Sequence, residues 1–245
     1  MRVFVGFDDT DTIDADRGTG KLVRWFEKEL PEGCTLWGVV RQQLLVDPAI
    51  PYTSHNSSAC AVIEAPDSSC VDILISRAIA HIKNYFIPGS DPGLCVAAEG
   101  NGTLSNLISF GKLCATRVVT QKEALDAATG FHLSGHGGTN DGIIGAVAAV
   151  GLTASGWSGR FIEFKRLRDF PDKISVADME QAGILVVSVD RNAPVPAPHD
   201  MVDTKGWLRP RLWGAQPTLP VISTGQNLWE AVGSEKRNNK STEER

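Results

Sequence analysis

No C-x-x-C pair occurs among the five cysteines, at positions 34, 60, 70, 95 and 114. That absence argues against a structural zinc site, and an odd set gives no disulfide framework. Buried thiols in a reducing cytosol are the expectation. Long apolar runs are missing too: the longest, "IIGAVAAVGL" at 143–152, falls far short of a membrane span. The chain opens directly on a strand-like segment, without the charged and apolar regions of a signal peptide, so a cytoplasmic protein is expected. There is no basic excess. The formal net charge is −5, whereas gripping nucleic acid over a broad surface relies on many phosphate-neutralising Lys and Arg. The short basic stretches "KRLR" (165–168) and "RPR" (209–211) read as solvated surface. Internal repeats are absent.

What is present suits a mixed α/β (α+β) protein of one large or two small domains. Strand-like runs fall at 2–7, 35–46, 60–65, 94–99 and 184–190, and the "FIEFKRL" segment reads the same way. Apolar residues at helical spacing mark 19–30 and 70–86, with two modest helices near 104–113 and 121–129 and a small-residue helix after 141. Residues 47–59 form a polar loop, 191–221 read as a long proline-rich connection, and the charged tail 235–245 is expected to be disordered.

The first strand runs into "FDDTDT", placing Asp8, Asp9 and Asp11 within four residues. Neighbouring carboxylates resist ionising together unless a cation or hydrogen-bond donors relieve them. Asp and Thr also serve as turn formers and caps, so two readings stand side by side. Three acids at the C-terminal end of a strand, where α/β folds place ligands, favour a metal site, and Mg²⁺ takes one or two carboxylates plus waters and phosphates. The phosphatase-like D-x-D-x-T signature fails, because residue 13 is Ile. "GTGK" is not a Walker A loop either: Ala15 stands at its first glycine position and Leu22 follows Lys21. Gly18 to Lys21 still suit an anion at a helix N-terminus.

A second loop, "SGHGGTNDG", leads into the small-residue helix. Its glycines admit close backbone approach to a phosphate, but the small residues Gly145, Ala146, Ala148 and Ala149 equally indicate tight helix packing. His136 is either a phosphate contact or a structural histidine. A third loop, "TSHNSSA", offers Asn56, Ser57 and Ser58 as pocket or turn residues.

Taken in order, "VFVGFDDTDT", "LLVDPAIPYTSHNSSACAVIE" and "NDGIIGAVAAVG" resemble the N-terminal half of the archaeal tRNA(Ile) agmatinylcytidine synthetase family. In that family the first strand ends in D-D-T-D-S and a later helix opens R-G-L-I-G-A-L-A-A-V-G. "LPVISTGQNLWEAV" extends the likeness in pieces to about residue 232. The resemblance implies a kinase-like α/β domain associated with a ferredoxin-like domain, with ATP and Mg²⁺ at their junction. The division it suggests is 1–57 with 131–183 as the kinase-like part and 58–130 with 184–234 as the ferredoxin-like part. Carried over by position, Asp8, Asp9 and Asp11 become the Mg²⁺ ligands and phosphate-handling acids. Thr19 falls near the family's autophosphorylated threonine, and Lys21 would offset phosphate charge. Asn56, His136, Gly137, Gly138, Asn140, Asp141 and Gly142 would face the nucleotide.

The departures shape the expected function. Thr19-Gly20-Lys21 replaces the family's cysteine-threonine-threonine stretch, Thr53 to Ser58 lack the family's basic residues, and Asp141 stands where the family has arginine. No counterpart of the family's OB-fold and zinc-ribbon regions, which hold tRNA, is expected from these residues. Together with the net charge of −5, this argues against tRNA binding by the chain alone. The expectation is an ATP/Mg²⁺-dependent phosphoryl-transfer enzyme, kinase- or synthetase-like, acting on an unidentified acceptor, with a homodimer or a partner subunit left open. A non-catalytic nucleotide-binding or regulatory module, and the catalytic subunit of a split tRNA-modifying enzyme, are the competing readings.

Overall fold

Alternation along the first strand decides how the chain is layered. A computed structural model describes residues 1–50, 55–100, 102–191 and 195–233. In β1 (Arg2–Asp8), Val3, Val5 and Phe7 point into one apolar core and Phe4 into another, because successive side chains in a strand face opposite ways. The strand is buried on both sides and therefore reads as a continuous apolar run.

The described residues fall into two compact units, one within 1–165 with 212–215 and the other within 166–211 with 216–233. In the first unit β1 lies between β3 (Ser57–Glu64) and β4 (Gly93–Ala98), both antiparallel to it. Outward from these, β2 (Thr35–Gln43) pairs with β3, β6 (Arg160–Glu163) with β2, and β5 (His132–Gly135) with β4, all antiparallel. Helices α1 (Thr19–Trp25) and α2 (Cys70–Tyr85) contribute Leu22, Val23, Leu74, Ala78 and Ile82 to the core on one face. Helices α3 (Ser105–Cys114), α4 (Gln121–Ala127) and α5 (Gly142–Ala154) cover the other. A capping box at Thr120 and Glu123 starts α4. All five cysteines are buried free thiols.

β3 straddles the expected 57/58 boundary and is hydrogen-bonded on both sides, to β1 and to β2, so one sheet holds 2–8, 35–43 and 57–64 together. The expected tail, 235–245, and Thr53 and Ser54 of the polar loop lie outside the described residues.

In the second unit β11 (Gln216–Gly225) pairs in parallel with β8 (Leu185–Ser188) and antiparallel with β12 (Leu228–Ala231). Next to β12 come β9 (Met201–Asp203) and then β7 (Lys173–Ser175), which leads into α6 (Val176–Gln181). The proline-rich stretch is thus not a plain connection: it contains β9, β10 (Arg211–Trp213) and most of β11. Pro217 and Pro220 weaken the strand signal because proline cannot donate to a ladder. Burial of Thr218, Leu219 and Val221 overrides that penalty. Among the described residues no helix is long and apolar enough to cross a membrane.

Helix α5 is buried on almost every side, as a helix apolar all round must be. It crosses the strands at contact distance. A Cβ on Gly6 would stand 2.3 Å from the Ala146 carbonyl oxygen, and one on Gly151 would stand 1.8 Å from that of Leu107 in α3. Elsewhere in a helix, Gly→Ala gains about 1 kcal/mol. Here the clash is with backbone, and overpacking of this kind costs about 3 kcal/mol. Gly151→Ala is therefore expected to lose about 2 kcal/mol of stability in urea unfolding, by a shift in midpoint with an unchanged slope. A stabilised variant would show that α3 and α5 do not meet through this glycine.

Candidate functional site

The three loops singled out in the sequence leave the sheet at the same end. Asp8 is in register with Gly93, and Gly93 with Gly135. Ser58 follows the Phe7–Ala59 pair, so it stands beside Asp8, and it is itself opposite Gln42. Gly135, Gly93, Asp8, Ser58 and Gln42 thus form one row across five strands. Beyond it lie the acidic loop, the segment ending at Asn56, the 87–92 turn and the glycine loop. Helix α5 lies over the row. A Cβ at Gly142 would stand 2.6 Å from the Gly93 nitrogen, one at Gly145 would stand 1.7 Å from Asp8 Oδ2, and Thr153 Oγ1 accepts from Gln42 Nε2 at 3.0 Å.

Within the acidic loop each residue has a different task. Strand alternation turns Asp8 toward α5, where its carboxylate fills the space that Gly145 leaves. At Asp9 the backbone switches to the left-handed region, φ 48°, and redirects the chain. Thr10 is buried; its amide and hydroxyl both reach Thr19 Oγ1, at 3.2 and 3.0 Å. The Thr19 hydroxyl and amide in turn donate to one oxygen of Asp11, at 2.9 and 3.0 Å. Asp11 therefore satisfies the start of α1, whose N-cap is Gly18 with no side-chain cap of its own. The capping reading holds for Asp11.

Electrostatics single out the other two acids. Burial, foremost, then the charges of Asp9 and Asp11 raise Asp8 to about 8, against a lowering hydrogen bond from the Asp9 backbone. Asp9 rises to about 6, through burial first and then the charges of Asp91, Asp11 and Asp141. The basic residues nearby do not relieve them. Lys21 Nζ sits 5.3 Å from the Trp25 ring centroid, and Arg17 lies over the same ring while bonding Asp16 and the Tyr85 carbonyl.

Among the described residues no group of three or more His, Cys, Asp or Glu is placed to hold a metal ion. The three acids of the motif do not converge. The oxygen set nevertheless suits a hard cation. Asp8 and Asp9 are crowded carboxylates, and Ser58 Oγ beside Asp8 is buried without a hydrogen-bond partner. Such a set fits Mg²⁺ held through one or two carboxylates plus phosphate oxygens, and not a centre built by protein alone.

The glycine loop carries a feature that the sequence did not announce. Asp91 accepts from the amides of Thr139, Asn140 and Asp141, at 2.9, 2.8 and 3.2 Å. Thr139 Oγ1 lies 2.5 Å from Asp91 and 2.9 Å from Asp141, its single proton serving one of them. Burial alone would raise the Asp91 carboxyl, but these hydrogen bonds hold it below its usual value. Amides expected to cradle phosphate thus already hold a carboxylate. Gly137 and Gly138 pack on residues 90–92, Asn140 fills the space above Gly135, and Asp141 is also held by Gln121 at 2.5 Å. Asn56 braces its own loop by donating to the Leu45 carbonyl. His136 turns to Ser134, at 2.8 Å. Asp91 was hidden in a turn, "GSDPG", whose composition signals only a chain reversal.

The Asp8 value fixes a pH dependence. In metal-free buffer the unfolded chain releases this proton near 3.8, whereas the folded chain keeps it to about 8. Its contribution is complete below the lower value and lost as pH rises through the upper one. Asp8→Asn stays neutral throughout, so it is expected to gain in urea midpoint over wild type at pH 8 relative to any difference at pH 4. An equal difference at both pH values would mean that Asp8 ionises normally.

No protein-family model matches this chain, and no curated protein matches its sequence. Solved structures do match. A tRNA fluorescent labeling enzyme is 26% identical with a TM-score of 0.52, over 62% of this chain and 36% of that one. The complex of TiaS with an isoleucine tRNA and ATP is 25% identical with a TM-score of 0.52, over 62% and 36% of the respective chains. Apo TiaS, the agmatidine synthetase for that tRNA, is 26% identical with a TM-score of 0.48, over 62% and 35%. The match spans little more than a third of those proteins' length. Over that part, this chain is folded like a portion of TiaS.

Proposed function

We propose that this chain is an ATP- and Mg²⁺-dependent phosphoryl-transfer enzyme of the agmatidine synthetase type, acting on an acceptor still to be identified. One observation carries the reading: three loops distant in sequence meet at one sheet end, around crowded carboxylates and a helix start. The likeness to an enzyme solved with an isoleucine tRNA and ATP supports it. Bound Mg–ATP would supply the transferable phosphoryl group and the metal charge on its phosphates.

The chain's own residues have separable tasks. Asp9, with Asp8 beneath it, provides the carboxylates for the cation, and Ser58 adds a hydroxyl oxygen. Gly137, Gly138 and the first residues of α5 line the phosphate side. A phosphate reaching Thr139, Asn140 and Asp141 has to displace Asp91 from their amides. The Thr19 hydroxyl is already bonded to the Asp11 carboxylate, a group able to take its proton. Thr19 is only 7% exposed, so the loop must open before that hydroxyl meets a phosphate. The ordering of the 55–57 backbone by Gln43 and Asn56 keeps the third loop against the same end.

A second reading draws on the position of the cations. Arg17 and Lys21 face Trp25 rather than the acids, which suits a module that binds nucleotide without turning it over. ATP hydrolysis by the purified chain decides between them. Mg²⁺-dependent turnover, reduced on the order of 100-fold in Asp9→Asn, is expected. Tight Mg²⁺-dependent ATP binding without turnover would favour the module. Unchanged turnover and Mg²⁺ dependence in Asp9→Asn would remove the metal role given to that carboxylate.

A further inference from the structure

On the opposite face of the sheet, β5 carries a polar row that ends at His136, a residue the resemblance places toward the nucleotide. His132 and Ser134 stand opposite Val96 and Leu94, which belong to the core beneath α2. Leu133, between them, packs into the core on the α5 side. The row therefore faces α2. Its members touch in sequence: His132 Nε2 lies 2.9 Å from Ser134 Oγ, and Ser134 Oγ lies 2.8 Å from His136 Nε2. A serine hydroxyl has one proton to give, so one neutral ring donates to it and the other accepts.

Lys83, in the last turn of α2, the helix that the row faces, is the cation whose charge is felt at His136. It is exposed and makes no ion pair among the described residues. β4 contributes only apolar side chains opposite the histidines, and the Asp91 and Asp141 carboxylates of the next loop are held by Thr139, backbone amides and Gln121. Burial holds His132 below its usual value. Burial, then Lys83 and His132, do the same for His136. The row is thus neutral near pH 7, and the helix it faces ends in a lysine without an ion pair among the described residues.

We propose that His132, Ser134, His136 and Lys83 form a binding site for a phosphate group. A metal ion is disfavoured, since Lys83 repels a cation and the two rings share a hydroxyl instead of meeting a third ligand. A phosphate dianion offers several acceptor oxygens at once. It would take hydrogen bonds from the ammonium, the hydroxyl and the ring N–H groups, and favour the protonated rings. Binding and proton uptake are then linked. The site does not depend on the ATP chemistry proposed above, and the group arrives either as inorganic phosphate or on a phosphate monoester.

Histidine-ring NMR titration of the full wild-type chain, without Mg²⁺, tests this directly. Millimolar inorganic phosphate and AMP form separate arms, with chloride at equal ionic strength as reference. The titration midpoints of His132 and His136 should rise by about one unit, while exposed His199 stays put. Lys83→Ala should weaken the effect about fivefold in concentration, the size of one exposed ion pair. A rise in both arms assigns the site to the phosphate group itself, and a rise with AMP alone assigns it to an ester. No rise in either arm, or an equal rise at His199, overturns the proposal, whatever the outcome of ATP hydrolysis.

Discussion

The first unit depends on how closely α5 can lie on its sheet. Gly6 and Gly93 below, and Gly142 and Gly145 above, remove side chains from both sides of that contact. Interiors tolerate little adjustment in volume, so these positions fix where the helix begins. The electrostatics follow from the packing. With no side chain at 145, the Asp8 carboxylate occupies the gap, loses water and holds its proton to about 8. A methyl group at that position would evict the carboxylate. The small residues of this helix thus set both its packing and the surroundings of Asp8.

Most strands and helices of the first unit were legible because their periodicities are local, β5 (His132–Gly135) being an exception. The apolar run of β1 and the amphipathic pattern of α2 each lie within one stretch of chain. The second unit was harder to read. β11 contains Pro217 and Pro220, and it is held by burial and by its partners β8 and β12, none of which shows in a proline-rich string. β3 is committed to β1 and β2 by long-range hydrogen bonds that no local pattern shows.

At the candidate site the sequence located the loops but not the directions of their side chains. Asp8, Asp9 and Asp11 looked equivalent on paper. Alternation in β1, a left-handed residue at Asp9 and the needs of the α1 N-terminus send them to three different environments. Asp91 supplies the complementary lesson. A helix start with glycines predicts an anion, and an anion is present, but it is a carboxylate of the chain itself. Such a contact orders the loop in the absence of ligand, and it also sets a competitor against any phosphate that approaches.

The two faces of this sheet end carry opposite proton chemistry. On the α5 side Asp8 and Asp9 are held protonated above their usual range by burial and by each other, so a cation is welcomed by the loss of protons. On the α2 side His132 and His136 are held neutral below their usual range, so an anion is welcomed by the gain of protons. The acid arrangement weakens the empty protein at neutral pH, because burial keeps Asp8 from the ionised state it takes in water, whereas the neutral rings cost stability only at acid pH, where a free histidine is charged. Coulomb repulsion among the acids cannot be relieved by Lys21 or Arg17 while these lie against Trp25. A divalent cation carried on phosphates, as proposed above, would relieve it without moving them.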